Sequence, residues 1–160
     1  MQRRDKTDYI ILHCSDTEDD GDTLQWPAIK RYHLSLGWSD IGYHFGVEER
    51  AGIVLLPGRD REAVGSHCRA GGRNHDSIGV CVVGQFDEDA PTPKIFAATV
   101  KALAWLCLFY DIPSKNVRGH REFEPNKTCP GEMWDLDHVR ECVGLRTREV
   151  WPEGRHIALL

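Results

Sequence analysis

Most features that assign a function quickly are missing from this chain. There is no Cys-x-x-Cys pair, which removes a zinc ribbon and a thioredoxin-like redox site from consideration. No His-Glu-x-x-His or other compact ligand motif occurs either. Long apolar runs are absent, so no membrane insertion is expected. The charged start Met1-Gln-Arg-Arg-Asp-Lys-Thr-Asp8 leads into only four apolar residues, too few for the hydrophobic region of a secretory signal. Synthesis in the cytoplasm without a signal peptide is the expectation. Lysine and arginine are not clustered and the net charge is −5, which argues against a nucleic-acid surface. Internal repeats and low-complexity segments are lacking as well. What is present is 160 residues, 41% of them hydrophobic, enough for one domain with a substantial core.

The six cysteines do not read as a disulfide framework. Cys14, Cys81, Cys107 and Cys142 fall inside segments patterned as strands or helices, where free thiols act as small buried hydrophobes. Cys129 differs, because it lies in a polar loop between Lys127 and Pro130.

Residues 9–14 form a short apolar run that suits a buried strand, with His13 near its end. Thr23 is placed to cap a helix through Trp26, Ile29, Tyr32, His33 and Leu36, stopped by Gly37. Residues 42–48 alternate, with Tyr43, Phe45 and Val47 on one face and His44, Gly46 and Glu48 on the other. Arg50-Ala51-Gly52 then turns the chain into residues 53–56, which predicts a hairpin. Residues 57–77 are rich in Gly, Arg and His without a period, and so long a loop is more often functional than idle. Residues 77–84 predict a central strand covered on both faces. Thr92-Pro93 opens a helix carrying Phe96, Val100, Leu103, Trp105, Leu106, Cys107 and Tyr110. Residues 117–119 predict an edge strand delivering His120, and residues 135–143 a last short helix, after which the pattern fades. The fold class expected is α/β: a single domain with a central mixed β-sheet flanked by helices.

His13, His120 and Cys129 are the residues that would hold one zinc ion. Two imidazoles and a thiolate leave a fourth position open, the layout of a catalytic rather than a structural site, and this points to hydrolysis. Spacing alone leaves the other reading open, in which both histidines are ordinary polar residues near loops and Cys129 is a small filler.

The surroundings add a resemblance. In order along the chain stand His13-Cys-Ser-Asp-Thr17, the Trp26 segment ending in Gly37-Trp38, Gly42-Tyr-His-Phe45, Gly58-Arg59-Asp60, Val64-Gly-Ser-His67, Asn74 with Ser77-Ile-Gly-Val80, and Gly119-His-Arg-Glu122 with Cys129-Pro-Gly131. This pattern resembles the type 2 N-acetylmuramoyl-L-alanine amidases, whose relatives include peptidoglycan recognition proteins and small phage endolysins. The resemblance runs over residues 9–143, giving an N-terminal segment 1–8, a zinc amidase domain 9–143 and a C-terminal tail 144–160. It implies Zn2+ as cofactor, with His13, His120 and Cys129 as ligands, and Tyr43 and Lys127 as catalytic residues. His67 and Asn74 match substrate-facing positions, with Arg59 helping to shape the groove. His44 and His33 read as structural. Glu48, Glu122 and Glu124 are nearby carboxylates without a motif that marks a general base.

The implied activity is hydrolysis of the amide between N-acetylmuramic acid and L-alanine of the peptidoglycan stem. A small phage or prophage endolysin, monomeric and reaching the cell wall after membrane permeabilisation, fits that expectation. Some phage amidases of this type also bind their phage RNA polymerase, which makes that a possible partner. Two alternatives stand beside it: a non-catalytic peptidoglycan-binding module of the same fold, and a cysteine hydrolase using Cys129 with His120.

Overall fold

The apolar runs at 9–14 and 77–82 offer no polar face, and they become the two inner neighbours of a sheet, β1 (Tyr9–Cys14) and β4 (Ser77–Val82). The computed structural model, which describes residues 1–17, 24–49 and 54–150, pairs them in parallel with Ile10 opposite Ile78 and His13 opposite Cys81. β2 (Phe45–Glu48) joins β4 in parallel, and β5 (Val117–Gly119) joins the other side of β1 in parallel. β3 (Val54–Pro57) runs antiparallel to β2, which completes a mixed sheet in the order β3-β2-β4-β1-β5. The hairpin is as expected; its turn at Arg50-Ala51-Gly52 and Ile53 lies outside the described residues, as do Thr23 and residues 151–160.

Side chains alternate along a strand, so β1 sends Ile10 and Leu12 to one face and His13 to the other. The first face is covered by α2 (Pro93–Tyr110) and α3 (Leu136–Val150), which share a buried cluster with Ile10, Leu12, Val80 and Val117. Leu103 and Leu106 of α2 are completely buried there, worth about 1.5–3 kcal/mol each. Over the second face, α1 (Trp26–Ser35) packs Trp26 and Ile29 with Ile41, Cys81 and Val83.

The helix ends have identifiable causes. Thr92 Oγ1 accepts from the Ile95 amide at 3.2 Å with Pro93 in the first turn, as its sequence predicts. By length and composition α2 would pass for a membrane span, but it serves as the main core helix. Trp105 is the exception within it, 46% exposed and stacked on Phe109. At α1, the Glu48 carboxylate takes the Gln25 and Trp26 amides at 2.6 and 3.1 Å, a cap reached from the sheet rather than from the helix's own flank. Gly37, at φ +83°, takes up the left-handed turn after that helix. Tyr32 and Leu36 point outward instead of into the core, 61% and 51% exposed, because the helix stops at Ser35 and buries only Trp26, Ile29 and His33.

Two expectations need correction. α3 does not stop near residue 143 but continues to Val150, held in its last turns by polar links such as Arg146 with Glu149 and Thr147 Oγ1 to the Gly144 carbonyl. Tyr43 does not share a face with Phe45 and Val47. The chain is irregular before Phe45, and this sets Tyr43 with the Trp26 cluster while Phe45 and Val47 face α2.

Candidate metal centre and substrate cleft

β1 and β5 are parallel neighbours with Leu12 opposite Gly119, so the next residues, His13 and His120, leave the same end of the sheet side by side. Their ring centroids are 4.6 Å apart. The carboxyl ends of parallel strands are where open α/β sheets place ligands. Cys129 arrives from the loop after β5, and Arg121 fastens that loop. The Arg121 amide donates to the Cys129 carbonyl at 2.7 Å, and its guanidinium donates to the carbonyls of Gly131 and Trp134. As a result a nitrogen of each histidine and the Cys129 sulfur lie within 4.8 Å of one another. The sulfur is 3.6 Å from His13 Nδ1 and accepts the Cys14 amide at 3.4 Å, a backbone hydrogen bond that favours a thiolate.

The protonation states suit a cation. Burial, then the neighbouring His120 and Lys127, hold His13 well below the usual histidine range, so its imidazole is neutral and able to ligate. Burial also lowers His120, against the pull of Glu124. The Cys129 thiol is pushed up by its hydrogen bond to the Cys14 sulfur and by burial, so it holds its proton until a cation replaces it.

Tyr43 stands beside this group, its ring centroid 5.2 Å from that of His13. Burial, then the surrounding thiols of Cys81, Cys129 and Cys14, raise its pKa well above the usual value, so it stays a neutral phenol. Lys127 is exposed at the mouth of a cleft of about 380 Å³, lined also by Trp38, His67, Arg69, Asn74, His120 and Glu124. The long loop 57–77 therefore supplies one wall.

His67 is not a solvent-facing residue. It is 8% exposed, its Nδ1 is 3.0 Å from His13 Nε2, and its ring occupies a slot between Gly65 and Gly79 that a Cβ at either position would fill. Asn74 Oδ1 accepts the amides of His67 and Cys68, both at 2.8 Å, and so holds that slot in shape. Arg59, expected to help shape the groove, works from behind it. It is buried, and its guanidinium donates to the carbonyls of Ile41, Val64 and Asp40, which ties loop to loop away from the cleft lining.

His44 and His33 are structural, as expected. His44 Nδ1 accepts the Gly79 amide at 2.9 Å, and His33 Nδ1 accepts the Gly42 amide at 3.2 Å. The three carboxylates are sorted by position. Glu48 caps α1, Glu122 takes the Gly119 amide and pairs with Arg118 and Arg140, and Glu124 alone reaches the cleft, with Oε1 3.2 Å from His120 Nε2. Arg69 and Arg121 escaped sequence reasoning, since an arginine in a polar loop carries no signal of what it will face.

The sequence profile of the N-acetylmuramoyl-L-alanine amidase family matches residues 3–132. The endolysin of Escherichia phage T7 is 38% identical over 135 residues, covering 81% of this chain and 84% of its own length. Peptidoglycan-recognition protein LB of Drosophila melanogaster is 29% identical over 133 residues, covering 77% of this chain and 54% of its own. Among solved structures, the endolysin amidase LysCS of Clostridium intestinale superposes with a TM-score of 0.73 at 25% identity, covering 85% of this chain and 82% of that one. Drosophila PGRP-LB, at 23% identity and a TM-score of 0.70, covers all of this chain and 89% of its own, and bears on the fold alone. The profile match over most of the chain and the identity to a phage endolysin agree with the strand-end geometry: this chain belongs to the N-acetylmuramoyl-L-alanine amidase family.

Proposed function

We propose that this protein is a zinc-dependent endolysin that hydrolyses the amide between N-acetylmuramic acid and the L-alanine of the peptidoglycan stem, with His13, His120 and Cys129 holding the ion. Peptidoglycan amidase activity is that of its family, and phage T7 and T3 endolysins are 38% and 37% identical to it. The observation that carries the metal assignment is the 3.6 Å separation of Cys129 Sγ and His13 Nδ1. A tetrahedral zinc with bonds of about 2.3 Å to sulfur and about 2.0–2.1 Å to nitrogen keeps two such ligands about 3.5 Å apart.

The ion, when bound, supplies Lewis acidity toward the amide carbonyl and toward water. The protein's own groups do the rest. Tyr43, held as a phenol, and the Lys127 ammonium offer hydrogen-bond donation and positive charge to the oxygen that becomes negative as the carbonyl is attacked. Lys127 and Arg69 give the cleft two cations suited to the carboxylates of a stem peptide, while Trp38 offers a ring face. His67 and Asn74 act on substrate through the wall they build, with His67 also braced against His13. Reaching the wall from the cytoplasm requires that the membrane be opened first.

The test is digestion of purified sacculi with product identification by mass spectrometry, with and without chelator. New L-alanine amino termini that disappear on chelation support the proposal. New reducing sugar ends would mean a glycosidase, and chelator-resistant activity would return the thiol mechanism. Cys129→Ser is expected to lose metal and activity together, and full activity in that variant removes Cys129 from the site.

A further inference from the structure

His120 faces two ways. One side meets His13, and its Nε2 turns to Glu124 at 3.2 Å without the alignment of a hydrogen bond, leaving a buried nitrogen with no hydrogen-bond partner. Cys68 closes the same space from the loop wall. Its sulfur, a His120 nitrogen and a Glu124 oxygen lie within 4.8 Å of one another.

Cys68 is 1% exposed and His120 7%, so two of these three groups are withdrawn from water. Packing does not explain the thiol, because Cys68 belongs to neither of the apolar clusters on the two faces of the sheet.

We propose that Cys68, His120 and Glu124 form a second divalent-cation site, adjoining the first and sharing His120 with it. A thiolate and a carboxylate offset a dication completely, whereas the His13, His120 and Cys129 set carries one negative charge. Sulfur, imidazole and carboxylate together favour zinc or cobalt over magnesium or calcium. Binding displaces the Cys68 proton and the proton on the His120 nitrogen that faces Glu124, so the second ion binds more weakly than the first and enters at metal excess. Because His120 and Glu124 line the cleft, its arrival occupies the cleft and immobilises both side chains. Excess zinc therefore inhibits the enzyme.

Metal binding is read without peptidoglycan, so the outcome is independent of the amidase assignment. Wild type and Cys68→Ala are dialysed against increasing zinc, and bound metal per chain is measured. Wild type is expected to take up a second ion at metal excess, while Cys68→Ala stops after the first. In the cobalt-loaded protein, Cys129→Ser is expected to keep a thiolate-to-cobalt charge-transfer band that the double variant Cys68→Ala/Cys129→Ser loses. Amidase activity of Cys68→Ala should match wild type at low zinc and resist zinc excess that suppresses wild type. Should Cys68→Ala fail to fold, Glu124→Gln is expected to lose the second ion and keep the first. Equal zinc uptake by wild type and the variant that folds, or a cobalt band that does not depend on Cys68, overturns the site.

Discussion

Removing the imidazole of His67 should weaken metal binding without touching a ligand. A ligating histidine is fixed in orientation and tautomer by what its other nitrogen bonds. Here His13 Nδ1 faces the Cys129 sulfur, so the His13 proton resides on Nε2 and His67 Nδ1 accepts it at 3.0 Å. Loss of such a partner typically costs 10- to 100-fold in metal affinity, about 1.4–2.7 kcal/mol. The site is rigid enough for the full effect, since His67 is packed against Gly79, whose replacement by any larger residue would put a Cβ 2.6 Å from the His67 ring. Three variants separate orientation from simple packing. His67→Ala removes the acceptor; His67→Asn restores an acceptor near the position of Nδ1; His67→Leu fills the slot without one. Zinc affinity is measured by competition with a chromogenic chelator, alongside urea denaturation of the metal-free proteins. Affinity should fall for Ala and Leu and recover in part for Asn. Zinc binding by His67→Leu within twofold of wild type would refute the reasoning, as would equal losses for Leu and Asn.

Tyr43→Phe and Lys127→Met should each lower kcat by about 10²- to 10³-fold with zinc content unchanged, the usual cost of losing one donor to a developing oxyanion; a loss below threefold for Tyr43→Phe would end its catalytic assignment. Glu48→Ala strips two backbone amides of a charged acceptor at the start of α1 and should destabilise the fold by about 2–4 kcal/mol in urea denaturation; a change within about 0.5 kcal/mol would contradict the cap. His44 is held at a pKa of about 3 by burial first, with Arg4 and Arg59 lowering it and the Ala63 carbonyl and Asp60 raising it. The unfolded chain binds a proton there below about 6.5 while the folded one does not, so stability falls with pH from about 6.5 toward about 3, by about 1.4 kcal/mol per unit. Wild type should lose about 2 kcal/mol more than His44→Asn between pH 7 and pH 5 by urea midpoints, and equal losses would show that His44 does not set that slope.

Elements whose causes are local were legible in the sequence. The runs at 9–14 and 77–82 are mostly apolar, and Thr92-Pro93 marks a helix start whatever surrounds it. His13 and His120 were legible for a related reason. His13 stands near the end of β1 and His120 follows β5, and parallel pairing of the two strands leaves the residues after Leu12 and Gly119 adjacent. Cys129 stood out as a thiol in a polar loop. The end of α3 did not, because past Gly144 the helix is held by side-chain pairs such as Arg146 with Glu149, which have no apolar period to read.

Long-range polar pairing is what hid the remainder. Arg121 looks like a solvated loop charge and Arg59 like a groove residue, yet each satisfies several backbone carbonyls whose positions depend on the finished fold. Glu48, Glu122 and Glu124 are equivalent in sequence, and only the packing of α1, the pairing with Arg140 and the turn after His120 give them separate tasks. The same holds for Tyr43, whose face is decided by backbone irregularity before Phe45 and not by the alternation that follows. For Arg59, Glu48 and Glu122 a deciding partner comes from a distant segment, and no window of sequence around the residue contains it. His13 and His120 escape this limit because their convergence follows from the parallel register of β1 and β5.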